Sequence, residues 1–208
     1  MTQVVANPTR VTLSALDEAG RSALFTDART ANTFAPQPVP DSQLSEIWDL
    51  AKWAPTAANF QPLRVLYVRG EARHRLAGHM SDGNKAKTAT APAVAVLALD
   101  TRFHEHIPTV MPPLSQMVDV FEADDSARNG TAEFNSALQA GYFLLAVRAL
   151  GLAAGPMKGF DAAGIDAEFF PDGRWRSILV VNIGQPGVEA FRDRMPRLDE
   201  SDVIAWAE

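Results

Sequence analysis

Apolar residues along this chain repeat with two periods. In PDSQLSEIWDLAKWA (40–54), Leu44, Ile47, Trp48 and Ala51 recur at helical spacing behind Pro40 and a capping Asp41. SALDEAGRSALF (14–25) predicts a first, shorter helix through Leu16, Leu24 and Phe25, and 71–79 predicts another. AEFNSALQAGYFLLAVRALG (132–151) predicts the longest helix, with Gly151 as its C-terminal cap. Apolar residues cover nearly all of its faces, so it must be buried all round, at the domain centre or in a subunit interface. LRVLYV (63–68) predicts a strand, rich in branched and aromatic residues. PAVAVLAL (92–99) and SILVVNIG (177–184) are apolar on successive residues, which predicts strands buried on both faces. DAAGIDAEFF (161–170) predicts a helix stopped by Pro171, and GLAAGPM before it reads as a connector or a strand.

The intervening segments are polar or broken. Residues 1–12 read as a loose or partner-draping tail. Residues 101–125, with IPTVMPPLSQ and EADD, predict a long mobile loop, with room for one short helix, the kind that covers a site. FRDRMPRLDESDVIAWAE reads as a basic loop followed by a short helix. Strands and helices alternate loosely, which makes the class α/β or α+β, one domain over 1–208 with a small central sheet.

Composition narrows the function. The chain has 208 residues, 47% hydrophobic and 21% charged, enough apolar material for a core. A net charge of −6 argues against nucleic acid and anionic membrane as partners and favours small molecules. With no cysteine, thiolate nucleophiles, disulfides and iron–sulfur clusters are excluded. No secretory leader opens the sequence and no apolar run spans a bilayer, so a cytoplasmic protein is expected. GxGxxG, GxxxxGK[ST] and GxSxG are all missing. His104 and His106 flank Glu105 without a third partner at metal spacing, and read as a surface loop. His74 and His79 read as surface, and Glu122, Asp124 and Asp125 as solvated charge; no metal is expected.

Four segments carry candidate chemistry. In WAPTAANFQP (53–62), Pro55 and Pro62 pin a loop presenting the amides of Asn59 and Gln61. Amides in a rigid loop suit a ring of alternating donors and acceptors, and the small Thr56, Ala57 and Ala58 let something flat approach. ARTANTF (28–34) groups Arg29, Thr30 and Asn32, suited to phosphate and hydroxyl oxygens. GPMKGF (155–160) suggests backbone N–H groups facing a ligand, and FRDRMPR (191–197) gathers Arg192, Arg194 and Arg197. Taken singly, each also reads as an ordinary turn or a solvated tail.

In their order along the chain, these segments resemble the nitroreductase family of FMN-dependent oxidoreductases. APTAANFQP is similar to the family's Pro-Ser-Ser-x-Asn-x-Gln-Pro loop, ARTANTF to its N-terminal basic pattern ending in Phe, GPMKGF to Pro-x-x-Gly-Phe, and RDRMPR to its C-terminal basic pair. FTDART, KWAPTAAN, ALGLAAGPMKGFD and MPRL look closest to the malonic semialdehyde reductase branch. Asn32 stands where many members have Arg or Lys, Thr56 and Ala57 replace serines, and Lys158 stands where some members have Glu.

The resemblance implies an α+β fold, a central mixed sheet flanked by helices in an intertwined homodimer, with FMN at the subunit interface. It implies that Arg29, Thr30 and Asn32 hold phosphate and ribityl oxygens, with Arg194 and Arg192 on the phosphate. Pro55, Thr56, Asn59 and Gln61 would meet the pyrimidine end of the flavin, and Pro156, Met157, Lys158 and Gly159 would lie along the ring. Met157 reads equally as core packing. NAD(P)H would then deliver a hydride to the flavin and a small acceptor would take its place: malonic semialdehyde, or a quinone or nitro compound. The loop 101–125 would cover the acceptor. No catalytic side chain or proton donor is identified. A flavin store or sensor without turnover, and a cofactor-free domain, are the competing readings.

Overall fold

The computed structural model describes residues 13–207; the tail expected over 1–12 lies outside them. Helix α1 (Glu18–Arg21) is capped by Asp17 and runs into a π-helical turn, Ser22–Thr26. Helix α2 spans Asp41–Ala51 and buries Leu44, Ile47 and Ala51, as its spacing requires. Its N-cap is Pro40; Asp41 is the first helical residue and pairs with Arg69 instead of capping. Strand β1 (Leu63–Val68) is followed by α3 (Gly70–Gly78) and α4 (Asp82–Thr90), then by β2 (Ala93–Asp100), which is buried along its whole length.

The stretch 101–125 is helical rather than a long loop: turns at Phe103–His106 and Pro112–Leu114, with α5 (Ile107–Val110) and α6 (Met117–Ala123). Helix α7 (Asp125–Ala149) follows, N-capped by Asp124, whose carboxylate accepts from Ala127 N at 2.9 Å. Strand β3 (Ala153–Met157), α8 (Ala162–Phe169), β4 (Trp175–Gly184) and α9 (Glu200–Val203) complete the order.

The sheet runs β1-β2-β4-β3, and each pairing of neighbouring strands is antiparallel. The mixed sheet expected from the resemblance is thus reduced to one isolated parallel bridge, between Thr30 and Ala154. One face of the sheet packs with α2 and α7 through Leu44, Ile47, Ala95, Leu97, Phe143, Val147 and Ile183. The other packs through Val94, Val96 and Val180 on Leu76, Ile165 and Met157. A third cluster joins Phe60 to Phe103, Ile107 and Phe121 and seats the helical segment 103–123 against the loop before β1.

Helix α7 is buried on one face only. Ala132, Asn135, Ser136, Gln139, Ala140, Phe143, Ala146 and Val147 point inward at a 3–4 spacing. Phe134, Leu138 and Tyr142 share the opposite face and are 65%, 40% and 41% exposed.

Candidate functional site

Residues 28–34 lie along β3. Ala31 N donates to Ala154 O at 3.0 Å, and Asn32 N donates to Ala190 O at 2.8 Å. Gly155 permits this approach, since a Cβ there would stand 2.7 Å from the Ala31 carbonyl oxygen. The result places Arg29, Thr30 and Asn32 on a recess of about 300 Å³ that Arg192, Arg194 and Arg197 line from the C-terminal segment. Arg148, which the sequence reading did not single out, also lines it. As a cation in the last turn of α7 it looks like routine helix-end complementarity, so only the fold reveals its place.

Asp193 is the one acid in that lining. Burial lowers the Arg148 pKa; burial, and then the nearby Arg192, lowers that of Lys87 on α4. Arg29 and Arg192 make no side-chain hydrogen bond or ion pair among the described residues. Arg194 is different: Nη2 donates to Thr26 O at 2.5 Å and Ala28 O at 3.2 Å. It ties down the loop that carries Arg29. Guanidinium forks around a small recess suit a multiply charged oxyanion.

The second candidate segment is the loop before β1. Ala58, Asn59 and Gln61 have φ of 45°, 59° and 48°. Left-handed backbone at such residues costs about 1–3 kcal/mol each and persists only where the surroundings impose it. Three supports are visible. Phe60 is buried with its ring centroid 5.7 Å from Phe103 and 5.4 Å from Phe121. Thr56 Oγ1 accepts from Gln61 N at 3.3 Å. Arg64 Nη1 donates to the Gln61 carbonyl at 2.9 Å while its Nη2 donates to Asp100 at 2.6 Å.

Asp100, with its side chain 1% exposed, also accepts from Arg174 Nε at 3.1 Å. That hydrogen bond raises the Arg174 pKa, whereas burial lowers that of Arg64 against the pull of Asp100. The amides are chained: Gln61 Nε2 donates to Asn59 Oδ1 and Asn59 Nδ2 to Val110 O, both at 2.8 Å. Each NH₂ group retains one N–H, and Gln61 retains its carbonyl oxygen. Pro55 is exposed at the start of this loop, and Pro62 is buried at its end.

The third segment is divided. Pro156 sits in β3 opposite Val181. Met157 is 5% exposed, with its sulfur 3.8 Å from Thr88 Oγ1, so core packing describes it. Lys158 is exposed; Nζ donates to Ile178 O at 3.0 Å and lies 5.3 Å from the Phe160 ring centre. Gly159 turns its carbonyl to the start of α4, accepting from Ser81 N at 3.1 Å and Asn84 Nδ2 at 2.9 Å. Pro55, Thr56, Asn59, Gln61, Pro156, Met157, Lys158 and Gly159 do not line the arginine recess of the same chain.

His74 and His106 are exposed, as the surface reading expects, whereas His104 and His79 depart from it. His104 is fully buried, with Nε2 2.8 Å from Glu122, while His79 Nε2 meets Glu168 at 2.6 Å. Glu122, Asp124 and Asp125 are solvent-exposed, as expected, but each also has a partner: Glu122 with Arg102 and His104, Asp124 as the α7 cap, and Asp125 with Arg128. Among the described residues no helix is long and apolar enough to cross a membrane.

Comparison with known proteins bears on this arrangement. A Streptomyces coelicolor protein named "Putative NADH dehydrogenase/NAD(P)H nitroreductase" is 60% identical over 191 residues, 91% of this chain and 94% of its own. Among solved structures, a nitroreductase family protein from Streptococcus pneumoniae superposes with a TM-score of 0.79 at 20% identity, over 88% of this chain and 98% of that one. An Exiguobacterium sibiricum protein described as "a putative nitroreductase in complex with FMN" gives a TM-score of 0.79 at 21% identity, over 95% of this chain and 100% of that one. The nitroreductase family model itself matches residues 26–185, from just before the arginine recess to the end of β4, and on that match this chain belongs to the nitroreductase family.

Proposed function

We propose that this protein is a cytoplasmic FMN-dependent oxidoreductase that draws on NAD(P)H to reduce a small acceptor. The observation that carries this reading is the recess in which Arg29 and Arg192 stand without hydrogen-bond or ion-pair partners among the described residues, in a chain of this family. Four further cationic or polar groups, Arg148, Arg197, Thr30 and Asn32, face the same space against a single Asp193. That donor set fits a phosphate monoester with hydroxyls close behind it, which is the tail of FMN. Arg29 and Arg192 would hold the phosphate, Thr30 and Asn32 the adjoining oxygens, and Arg194 would keep Arg29 in place through the 26–28 carbonyls.

FMN, when bound, supplies hydride acceptance from the nicotinamide and hydride delivery to the second substrate. The chain itself supplies position and charge. Asn59 and Gln61 would present their remaining N–H groups and one carbonyl oxygen to the edge of a planar heterocycle, with Pro55 and Thr56 beside them. N–H groups directed there favour negative charge on such a ring. Pro156, Lys158 and Gly159 flank it, and Lys158 offers a cation for an acceptor carboxylate. That charge favours an anionic aldehyde such as malonic semialdehyde, reduced to 3-hydroxypropionate, over neutral quinones or nitroaromatics. The segment 103–123, tied to Asn59 through Val110, would cover the acceptor.

A homodimer completes the arrangement. The loop at 55–61 lies outside the arginine recess of its own chain, and Phe134, Leu138 and Tyr142 leave an apolar face of α7 exposed. A second copy covering α7 would bring the loop of one protomer to the recess of the other.

The test is a titration of purified protein with FMN, followed by anaerobic addition of NADPH and of NADH. Arg29→Ala is expected to raise the FMN dissociation constant about tenfold to a hundredfold, the loss of one charge-assisted hydrogen-bond pair. Bleaching of the bound yellow colour supports turnover, and turnover with malonic semialdehyde faster than with quinones or nitroaromatics supports the aldehyde. Persistent colour identifies a flavin store or sensor, and protein that binds no FMN refutes the proposal.

A further inference from the structure

Two buried amides on α7 bracket the left-handed loop. Asn135 Oδ1 accepts from Ala57 N at 2.7 Å, and Gln139 Oε1 accepts from Leu63 N at 2.9 Å. The two residues are one helical turn apart and are 1% and 0% exposed. Their targets are the first residue of the 57–59 turn and the first residue of β1, so the clamps grip the two ends of the segment containing Ala58, Asn59 and Gln61. Asn135 is itself oriented, since its Nδ2 donates to Thr131 O at 2.8 Å and fixes which amide atom faces the loop.

Stability alone does not single out an amide at Gln139. Gln139 Nε2 is buried and has no hydrogen-bond partner among the described residues, and Ser136 Oγ beside it is in the same state. An unpartnered buried amide N–H costs about 1–3 kcal/mol, as much as the bond from Leu63 N contributes. An apolar residue of equal volume would remove this penalty but leave the Leu63 N–H unpartnered in its place, at a similar cost. What it would not supply is a fixed acceptor for the Leu63 N–H, and hence a fixed end for the loop. The consequence of the pair is therefore positional.

We infer that Asn135 and Gln139 are positioning residues that hold the Ala57–Leu63 segment in the conformation that presents Asn59 and Gln61 to the flavin ring. This rests on the FMN reading above. The clamps touch neither cofactor nor substrate. They act through the backbone of residues whose left-handed φ would otherwise relax, turning both amides away from a ligand. A shift of about 1 Å in such a contact is enough to lose it.

The experiment compares variants matched in volume: Gln139→Met and Asn135→Leu, which lose the acceptor, with Gln139→Glu and Asn135→Asp, which keep one. Each is measured for thermal stability without FMN, for FMN dissociation constant, and for the visible absorption spectrum of the bound flavin. Gln139→Met and Asn135→Leu are expected to weaken FMN binding about tenfold, the effect of one lost hydrogen-bonded contact. They are also expected to return the spectrum toward that of free flavin, while Gln139→Glu retains the wild-type spectrum. Arg29→Ala serves as the contrast: weaker binding with the bound spectrum unaltered. Variants that lose stability yet keep wild-type affinity and spectrum show a structural role and overturn the inference alone. Should Gln139→Met and Asn135→Leu not fold, Gln139→Glu and Asn135→Asp decide: a free-flavin spectrum in folded protein that still carries both acceptors likewise overturns it. Wild-type protein that takes up no FMN overturns this inference together with the functional reading.

Discussion

His104 and Glu122 show what single side chains gain from burial and pairing. His104 lies on the third core cluster with its ring 5.9 Å from Phe103, and Glu122 reaches it from α6. The hydrogen bond from His104, and then the charge of Arg102, hold the Glu122 carboxyl below its usual range. A group whose folded pKa is depressed contributes stability that is fully present above its unfolded value, about 4.5, and is lost as the pH falls through the folded pKa. Glu122→Gln should therefore flatten the fall in Tm on acidification from about pH 5 to pH 3, the window in which an ordinary carboxylate titrates. Thermal scans across that range check it. From the sequence, the HxH pair looked like surface because a histidine without metal-ligand spacing usually is. Burial by Phe103 and Phe121 comes from residues 1 and 17 positions away, and no local pattern announces it. Arg192 was legible because clustered arginines in an acidic chain are conspicuous, and Arg29 because it stands with Thr30 and Asn32 in one short stretch. Arg148 was hidden by its ordinary position at a helix end.

Among the elements, β1, β2, β4 and α2 followed from periodicity with small shifts at their ends, and α7 did so for its apolar part, although it begins seven residues earlier, at Asp125. The segment 101–125 did not. Its prolines read as breakers, yet Pro108, Pro112 and Pro113 occupy the first positions of short helical turns, where a missing N–H costs nothing. Helix α4 (DGNKAKTAT) went unpredicted because it buries only Thr88 and offers no apolar period to detect. Two backbone sites give opposite tests of left-handed geometry. Gly151, at φ 71°, ends α7, and a Cβ added there meets no atom within 4 Å. Gly151→Ala should cost about 1 kcal/mol from the backbone alone. Ala58, at φ 45°, already bears that strain, so Ala58→Gly should leave stability unchanged or raise it by a few tenths to about 1 kcal/mol. Chemical denaturation of both variants decides whether the loop is strained.

For the protein as an assembly, α7 matters most. Its outer face, Phe134, Leu138 and Tyr142, is apolar and open, where the sequence implied burial on all sides. The homodimer proposed above would cover it, with an interface expected to bury more than about 1,000 Å² in total. Leu138→Arg places a charge in the middle of that face. It should convert the dimer to monomer in size-exclusion chromatography with light scattering and, because each flavin would draw on both protomers, reduce FMN binding as well. A monomeric wild type that binds FMN fully would sink the two-chain site.

The chain's own residues determined a mixed α and β composition around a small sheet, the positions of its buried strands and of the apolar part of its long helix, and the four segments bearing candidate chemistry. Those properties depend on side-chain period and residue type, which are local. Tertiary structure alone decided that Arg29, Arg148 and Arg192 share one recess, that Met157 belongs to the core, and that Asn135 and Gln139 grip a loop 76 to 78 positions distant. It alone decided, too, that His104 is buried against Glu122. These are meetings between residues far apart in the chain, set by how the sheet and α7 pack, and no short stretch of sequence contains them.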